Sequence, residues 1–495
     1  MSNNSLTDLG QLAEVLEKIR HNAKTLSENY LFDSTILPVS DGKGTVLESW
    51  NTVALLLANS LNANALLVGE PGWGKTTAAA IASSASSGLP LDLYRSAMIK
   101  GHPNQFEEKM TARPDFGKMH EGIEKVIWQK ALYLPSILLD EFNRLKEGNQ
   151  AMILDEIATG RFSYMNDTFY AGKKSFFATI NHKDNGNYDI TPPNLDRFHL
   201  SLEFQFPGAL YNEFIAQFSQ QQRALENLEF TTQFLEIIQN NDLATKEKRG
   251  QLTKLQEGSK ADYEKRTGLK VLSADEHKLL RETILRTSLN GDTGFIPLDQ
   301  DALLFWQFMT SELNMTAKYG VKRSSDPVDG SNHGIGLASY NIKNGYGPRG
   351  FNESLLTFAK ALALYSAEPA AIRKGEVKVG AWHMMAIAPY AMAHRLEFTD
   401  DYKAKGDNAN ANRTTRQEQF LSSQILGEIR GRFDTRKNLL YALDQYVVCQ
   451  NEGKDPKKHL NRAMYDHIQD MIKDPQKQDH PFLREYAVAL ARRAR

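Results

Sequence analysis

Cysteine is almost absent from this chain of 495 residues, which contains a single one, Cys449. One cysteine excludes an intramolecular disulfide framework and a cysteine-rich zinc site. Cys449 ends the apolar run 446–449. We therefore expect a buried and chemically inert thiol.

Neither sign of charge dominates the composition. The chain has 59 lysine and arginine residues against 60 aspartate and glutamate residues, for a formal net charge of −1. Without a strong net charge, no overall field draws the chain to nucleic acid or to an anionic membrane. We therefore do not expect nucleic acid as a partner.

Long hydrophobic runs are missing as well. No apolar run approaches the 18 residues that a membrane-spanning helix requires. The first residues lack the basic and apolar regions of a signal peptide. We therefore expect a cytoplasmic protein that does not act on a membrane.

One motif stands out: residues 69–76 fit the phosphate-binding pattern G-x-x-x-x-G-K-[ST] without a mismatch. They follow the apolar run 65–68 and precede the helix-forming run 77–82, which is the strand–loop–helix context that the motif requires. Backbone N–H groups of such a loop and the N-terminus of the helix bind phosphate oxygens. Lys75 can reach the β and γ phosphates of a nucleoside triphosphate, and the Thr76 hydroxyl can ligate magnesium. The predicted nucleotide-binding residues are Gly69, Glu70, Pro71, Gly72, Trp73, Gly74, Lys75, Thr76 and Thr77.

Two carboxylates follow an apolar run 65 residues after Lys75. Asp140, at the end of that run, can hold the water shell of a magnesium ion. Glu141 can polarise the water that attacks the γ phosphate. Paired carboxylates also cap helices, but their position downstream of a phosphate loop favours the catalytic interpretation.

Two further residues are candidates for the same reaction. The apolar run 176–180 ends at Asn181, whose amide could position the attacking water or could simply begin a turn. Arg197 lies in the segment 192–198 between apolar residues. It could form a surface ion pair, or it could reach the γ phosphate bound by a neighbouring subunit.

The alternation of apolar runs and helical patterns predicts the fold class. Residues 7–30 have apolar side chains at three- and four-residue spacings, which predicts an amphipathic helix. From residue 65 to about 206, apolar runs alternate with helical patterns, which is typical of an α/β domain with a mainly parallel sheet. The remainder, from residue 208, is predicted to be largely helical. The predicted strands are 65–68, 91–95, 136–139, 175–180 and 200–204.

The order of phosphate loop, Asp-Glu strand, Asn strand and Leu-Asp-Arg-Phe segment resembles the AAA+ ATPases. Within them the chain is most similar to the MoxR family of the helix-2-insert branch. Residues 140–144 read Asp-Glu-Phe-Asn-Arg where that family has Asp-Glu-Ile-Asn-Arg, and residues 186–198 resemble its segment GTYPLPEAQLDRF. The resemblance covers residues 45–207, about a third of the chain.

This resemblance implies an ATPase that uses ATP and Mg²⁺ and assembles into a hexameric ring. It implies that Asn181 is the sensor 1 residue and that Arg197 is an arginine finger for ATP held by the next subunit. Arg349, in a Gly-Pro-Arg turn, resembles the sensor 2 arginine of the family's helical lid, although it could instead pack its own turn. Members of the family act as remodelling or assembly chaperones, often with a protein that carries a von Willebrand factor A domain.

Four parts of the chain are predicted on this basis. They are an N-terminal helical arm at 1–44, an AAA+ α/β nucleotide-binding domain at 45–207, a helical lid at 208–400 and a C-terminal helical extension at 401–495. Since 152 residues separate Arg197 from Arg349, far more than is usual in the family, we infer an insertion in the lid at about 240–335.

Three functions are compatible with the sequence. The leading interpretation is an ATP-hydrolysing ring that remodels or assembles a protein client. The alternative is a nucleic-acid motor, a helicase or restriction-type translocase, for which the chain lacks a dense basic run interleaved with aromatic residues. The third is a scaffold that binds ATP with little turnover. Stimulation of the ATPase by single-stranded DNA would favour the second function, and the absence of basal turnover would favour the third.

Overall fold

The computed structural model describes residues 3–38, 46–104, 110–120, 122, 124–181, 188–206, 208–240, 243–285, 296–314, 341–344, 347–409, 417–478 and 480–493. The strands in these ranges are β1 (Ile36–Pro38), β2 (Val46–Glu48), β3 (Asn64–Val68), β4 (Ile99–Lys100), β5 (Ala112–Pro114), β6 (Val126–Trp128), β7 (Ser136–Asp140), β8 (Arg161–Tyr164), β9 (Asp167–Tyr170), β10 (Ser175–Ile180), β11 (Leu200–Glu203), β12 (Ile342–Asn344) and β13 (Glu397–Phe398).

Helices account for most of the remaining described chain. The α-helices are α1 (Asn3–Asn29), α2 (Trp50–Leu61), α3 (Lys75–Ser87), α4 (Leu91–Ala97), α5 (Phe116–His120), α6 (Glu147–Thr159), α7 (Pro192–Leu195), α8 (Asn212–Gln221), α9 (Leu228–Gln239), α10 (Thr245–Thr267), α11 (Ala274–Leu285), α12 (Gln300–Leu313), α13 (Thr357–Ser366), α14 (Pro369–Lys374), α15 (Ala381–Met392), α16 (Asp400–Ala409), α17 (Gln417–Asn451), α18 (Arg462–Lys473) and α19 (Pro481–Arg493). A π-helical segment, Gly350–Leu356, precedes α13. Short 3₁₀ helices include Lys130–Tyr133 and Phe142–Arg144.

A five-stranded parallel sheet forms the core, in the order β11-β3-β10-β7-β4. Every residue of β3 and β10 is buried, as expected for strands of a parallel sheet covered on both faces. The predicted fold class, an α/β core with a parallel sheet followed by a helical C-terminal region, is confirmed.

The sheet also explains where a site can form. In a parallel sheet the carboxyl ends of all strands lie at one edge, and ligands bind in the crevice outside those ends. The phosphate loop follows β3, and Asn181 follows β10. Asp140 is the last residue of β7, and Glu141 comes directly after it. Because β10 pairs with both β3 and β7, these three connections are neighbours at one edge.

One predicted strand is wrong. Residues 91–95 belong to the helix Leu91–Ala97, and the fifth strand of the sheet is β4 instead. Leu91, Tyr94 and Ala97 are buried at three-residue spacings, which is a helical pattern. Asp92 in the first turn and Arg95 in the last turn suit the helix dipole. The other four predicted strands are confirmed to within one residue at each end, and the predicted N-terminal helix is confirmed as α1.

The chain forms two compact units, Met1–Ile296 with Ala361–Val377, and Pro297–Lys360 with Lys378–Arg495. In the first unit the Arg20 side chain holds the returning segment to α1: it donates to the carbonyl oxygens of Leu364, Tyr365 and Ala367 at 3.0, 2.8 and 2.6 Å. The predicted domain boundaries, including the lid insertion at about 240–335 that lies partly outside the described residues, stay predictions.

The second unit is mainly helical and contains a buried ion pair. Arg432 on α17 donates to both carboxylate oxygens of Glu312 on α12, at 2.7 and 3.0 Å. His480 Nε2 lies 3.1 Å from Glu312 Oε1. Cys449 is also buried there as a free thiol, as expected. Within the described ranges, no helix is long and apolar enough to cross a membrane.

Candidate functional site

The phosphate loop joins β3 to α3 and depends on glycine for its shape. Gly74, immediately before α3, has φ +81°, a conformation that residues with a Cβ seldom adopt. A Cβ added there would meet no atom within 4 Å. The glycine is therefore required by its backbone angle and not by a lack of space. The first N–H groups of α3, which have no carbonyl partner within a helix, face the loop and can bind an anion.

Lys75 is the first residue of α3, and its ammonium group is surrounded by oxygen atoms. Nζ donates to the carbonyl oxygens of Gly69 and Glu70 at 2.7 and 2.8 Å, and to Oδ1 of Asn181 at 3.0 Å. Burial lowers the pKa of Lys75, while the nearby carboxylates of Asp140, Glu70 and Glu141 oppose that shift. A cation held in this way among loop residues suits a phosphate group.

Thr76 and Asp140 meet beside the lysine. The Thr76 hydroxyl donates to Asp140 Oδ1 at 2.7 Å, and the Thr179 hydroxyl donates to the same oxygen at 2.6 Å. Hydroxyl and carboxylate oxygens are the hard ligands that Mg²⁺ accepts. Among the described residues, no group of three or more His, Cys, Asp or Glu side chains could hold a metal ion. Thr76 and Asp140 fit a magnesium ion whose remaining ligands would come from phosphate and water.

Glu141 follows β7 in a left-handed conformation, with φ 56° and ψ 49°. Such a conformation is uncommon for a residue with a side chain, and it persists only where the surroundings stabilise it. Here the Glu141 N–H donates to the Thr179 hydroxyl at 2.9 Å. The Glu141 carboxylate is already in contact with two donors: Oε1 lies 3.1 Å from Arg144 Nη2 and 3.4 Å from Asn181 Nδ2.

One cavity of about 270 Å³ is lined by residues 71–77 together with Asp140, Glu141 and Asn181. Gly69 and Glu70 do not line it, but their carbonyl groups hold Lys75. The structure thus brings together the predicted phosphate loop, the Asp-Glu pair and the strand-ending asparagine.

Arg197 does not line this cavity. Its guanidinium pairs with Asp155 Oδ1 at 2.5 Å and donates to the carbonyl of Ala151 at 3.3 Å, both on α6. Its side chain is about one-fifth exposed. Arg197 therefore forms a partly exposed ion pair within its own chain, and its role as an arginine finger stays a prediction.

Arg349 belongs to the second compact unit. Its Nε lies 3.6 Å from Glu353 Oε2, one helical turn further along the chain, and its side chain is half exposed. The sensor 2 role of Arg349 stays a prediction.

Two side chains at the site carried no role in the sequence interpretation. Thr179 bridges Asp140 and the backbone of Glu141, and Arg144 pairs with the Glu141 carboxylate. A weak signal existed for Thr179, which stands two residues before Asn181 and so points to the same side of an extended chain. Arg144 belongs to residues 140–144, which resemble the MoxR sequence, but that resemblance does not predict its contact with Glu141.

Comparison with known proteins adds one fold-level likeness. No protein-family model matches the sequence, and no curated protein matches it. The fold is similar to that of a crystal structure described as a "putative ATPase" from Cytophaga hutchinsonii ATCC 33406. The TM-score is 0.52 with 14% sequence identity, over 86% of this chain and 96% of the other. At this level of identity the likeness concerns the fold alone.

Proposed function

We propose that this chain is an ATPase that hydrolyses ATP to ADP and phosphate and uses the reaction to remodel or assemble a protein client. The observation that carries the proposal is the meeting of Lys75, Thr76, Asp140, Glu141 and Asn181 around one cavity. A fold similar to that of a structure described as a "putative ATPase" supports it.

Each of these residues has a chemical task in the proposed reaction. Mg²⁺-ATP, when bound, supplies the phosphoryl group that is transferred to water. The loop N–H groups and Lys75 bind the phosphate oxygens, and Thr76 and Asp140 would hold the magnesium ion. Glu141 accepts the proton of the attacking water. Asn181, which contacts both Lys75 and Glu141, orients that water between them.

We further propose a hexameric ring of the MoxR type, in which Arg197 acts on ATP held by the next subunit. Two observations support this role: Arg197 does not line the cavity of its own chain, and its pair with Asp155 is partly exposed. Such pairs are weak, so the arginine can exchange partners when a second copy docks. A protein with a von Willebrand factor A domain is the proposed partner, and a folded or assembling protein is the proposed client.

The first test is the ATPase rate of the purified chain and of two variants. Lys75→Ala removes the ammonium group that binds the phosphates and should abolish nucleotide binding. Glu141→Gln removes the base and should lower turnover by about 10²- to 10⁴-fold while ATP stays bound. If Glu141→Gln hydrolyses ATP at the parental rate, the assignment of the base is wrong.

The ring is tested separately by measuring the specific ATPase rate and the mass distribution across protein concentrations. Arg197→Ala should keep ATP binding but lose turnover, on the order of 10³-fold, as for other arginine fingers. Mixing it with Lys75→Ala should restore activity, because intact finger and intact pocket then meet at one interface. Arg223→Ala, at an exposed arginine of the same unit, is the control. Maximal turnover by a monomer would refute the ring.

A further inference from the structure

Glu141 borders a second cleft besides the phosphate cavity. This cleft has a volume of about 680 Å³, and its charged lining consists of Lys100, Lys130, Arg144 and Glu141. Three cations therefore face a single carboxylate. Glu141 lines both cavities, whereas Arg144 lines only the second one.

Arg144 forms an ion pair with the carboxylate of Glu141, the proposed base for hydrolysis. Its Nη2 lies 3.1 Å from Glu141 Oε1, the same oxygen that accepts a hydrogen bond from Asn181. Each carboxylate oxygen offers about two lone-pair sites, and Arg144 and Asn181 take up both of those on Oε1. A water molecule can therefore bind Oε1 only after Arg144 has found another partner.

The ion pair is well suited to such an exchange. The side chains of Arg144 and Glu141 are 35% and 29% exposed, and ion pairs that water can reach are held weakly. The guanidinium group presents a planar fork that binds a carboxylate through two parallel hydrogen bonds. A second carboxylate arriving in the cleft can thus compete with Glu141 for the same arginine.

We infer that this cleft, between Lys100, Lys130 and Arg144, binds an acidic peptide segment whose carboxylate draws Arg144 away from Glu141 and so activates hydrolysis. The inference rests on the proposed ATPase function. It identifies an acidic segment of the client as the group that stimulates ATP hydrolysis. Lys100 and Lys130 bind flanking acidic side chains, and Arg144 is the positioning residue that senses the peptide.

The lining of the cleft favours a peptide over a nucleic acid. Single-stranded nucleic acid is usually bound by aromatic side chains on which the bases stack. Among the described residues that line this cleft there is no Phe, Tyr or Trp. Moreover, the group to be displaced from Arg144 is itself a carboxylate, so the best competitor has the same chemistry.

Binding is tested without nucleotide, by the fluorescence anisotropy of a labelled hexaglutamate peptide with blocked ends. The double variant Lys100→Gln/Lys130→Gln should weaken binding at least tenfold, and a hexaglutamine peptide should not bind. Lys146→Gln, at an exposed lysine two residues beyond Arg144, is the matched control and should bind normally. Equal affinity for both peptides, or tighter binding of a thymidine oligonucleotide through the same lysines, overturns the inference.

Activation is tested by the ATPase rate with and without the hexaglutamate peptide. The parental protein should be stimulated, whereas Arg144→Gln should have a basal rate about two- to fivefold higher and no response to the peptide, given the strength of such ion pairs. Arg144→Lys, which keeps the charge but not the fork, should respond only partly. A basal rate of Arg144→Gln below that of the parent shows that Arg144 supports Glu141 and overturns the inference. Peptide binding in a protein without ATPase activity would instead refute the proposed function and leave the binding site intact.

Discussion

The substitution Thr179→Val isolates one hydroxyl group that organises the proposed catalytic carboxylates. Thr179 Oγ1 donates to Asp140 Oδ1 at 2.6 Å and accepts from the Glu141 N–H at 2.9 Å. Thr179 is 3% exposed, so bulk water cannot replace the missing group. Valine keeps the shape of the side chain and removes both hydrogen bonds.

The magnitude follows from the two bonds. A hydrogen bond to a charged group contributes about 1.5–3 kcal/mol, and a buried N–H without a partner costs about 1–3 kcal/mol. Asp140 Oδ1 keeps the hydroxyl of Thr76 at 2.7 Å, which reduces the first loss. We expect the free energy of unfolding to fall by about 2–4 kcal/mol. Because Glu141 then loses the bond that holds its left-handed backbone, we also expect kcat to fall about 10- to 100-fold, equivalent to about 1.4–2.7 kcal/mol.

Urea unfolding followed by tryptophan fluorescence measures the first effect, and steady-state ATP hydrolysis measures the second. Thr232→Val is the control, since the Thr232 hydroxyl is exposed and donates only to the Leu228 carbonyl within α9, at 2.8 Å. It should change stability by less than about 0.5 kcal/mol. If Thr179→Val matches the parent in both stability and kcat, Thr179 does not hold Glu141 in place.

Three further substitutions test other parts of the structure. A Cβ at Gly101 would lie 2.2 Å from the Glu141 carbonyl oxygen. Gly101→Ala should therefore lower kcat more than about tenfold without weakening nucleotide binding. Gly148→Ala is the control and should keep the parental rate, because a Cβ there meets nothing within 4 Å. In Gly74→Ala the alanine must adopt φ +81°, which should weaken the affinity for nucleotide, as measured by titration with a fluorescent ATP analogue. Unchanged affinity would show that the loop does not require glycine at this position. Arg432→Met should cost about 3–5 kcal/mol in urea unfolding at neutral pH, because it leaves the fully buried Glu312 without its bidentate partner. Against the effect of burial, hydrogen bonds from His480 and Arg432 hold the pKa of Glu312 below its usual 4.5. A carboxyl group whose pKa is lower in the folded than in the unfolded protein stabilises the fold at pH values above its unfolded pKa. That contribution to the free energy of unfolding is lost as the pH falls through the folded pKa. The difference between parent and Arg432→Met should therefore shrink below about pH 4.5; a difference independent of pH would refute the ionic argument.

The phosphate loop and the sheet around it could be predicted because their chemistry is local. The loop requires glycines, a lysine and a threonine at consecutive positions between a strand and a helix, so a short stretch of sequence contains the whole signal. Asp140 and Asn181 could be placed by the same reasoning, since each stands at the carboxyl end of an apolar run, and parallel strands end at one edge.

The segment around Leu91 shows where local reasoning is ambiguous. Leu91 and Leu93 alternate as in a strand, whereas Leu91, Tyr94 and Ala97 are spaced as in a helix. Both patterns bury apolar side chains, and short apolar runs do not distinguish them. The chain resolves the conflict with Pro90 ahead of the helix and Asp92 in its first turn, signals that the apolar pattern alone does not contain.

The pairing of Arg144 with Glu141 shows a different limit, because it depends on the type of a single turn. Residues Phe142–Arg144 form a 3₁₀ helix, closed by the bond from the Arg144 N–H to the Glu141 carbonyl at 2.9 Å. Glu141 stands before this turn in a left-handed conformation, and the turn brings Nη2 of Arg144 to within 3.1 Å of Glu141 Oε1. The sequence names a carboxylate that can act as a base and an arginine three residues later. Only the geometry of the turn shows that the arginine contacts the proposed base. On the proposed function, the rate of ATP hydrolysis would therefore depend on what else Arg144 can bind.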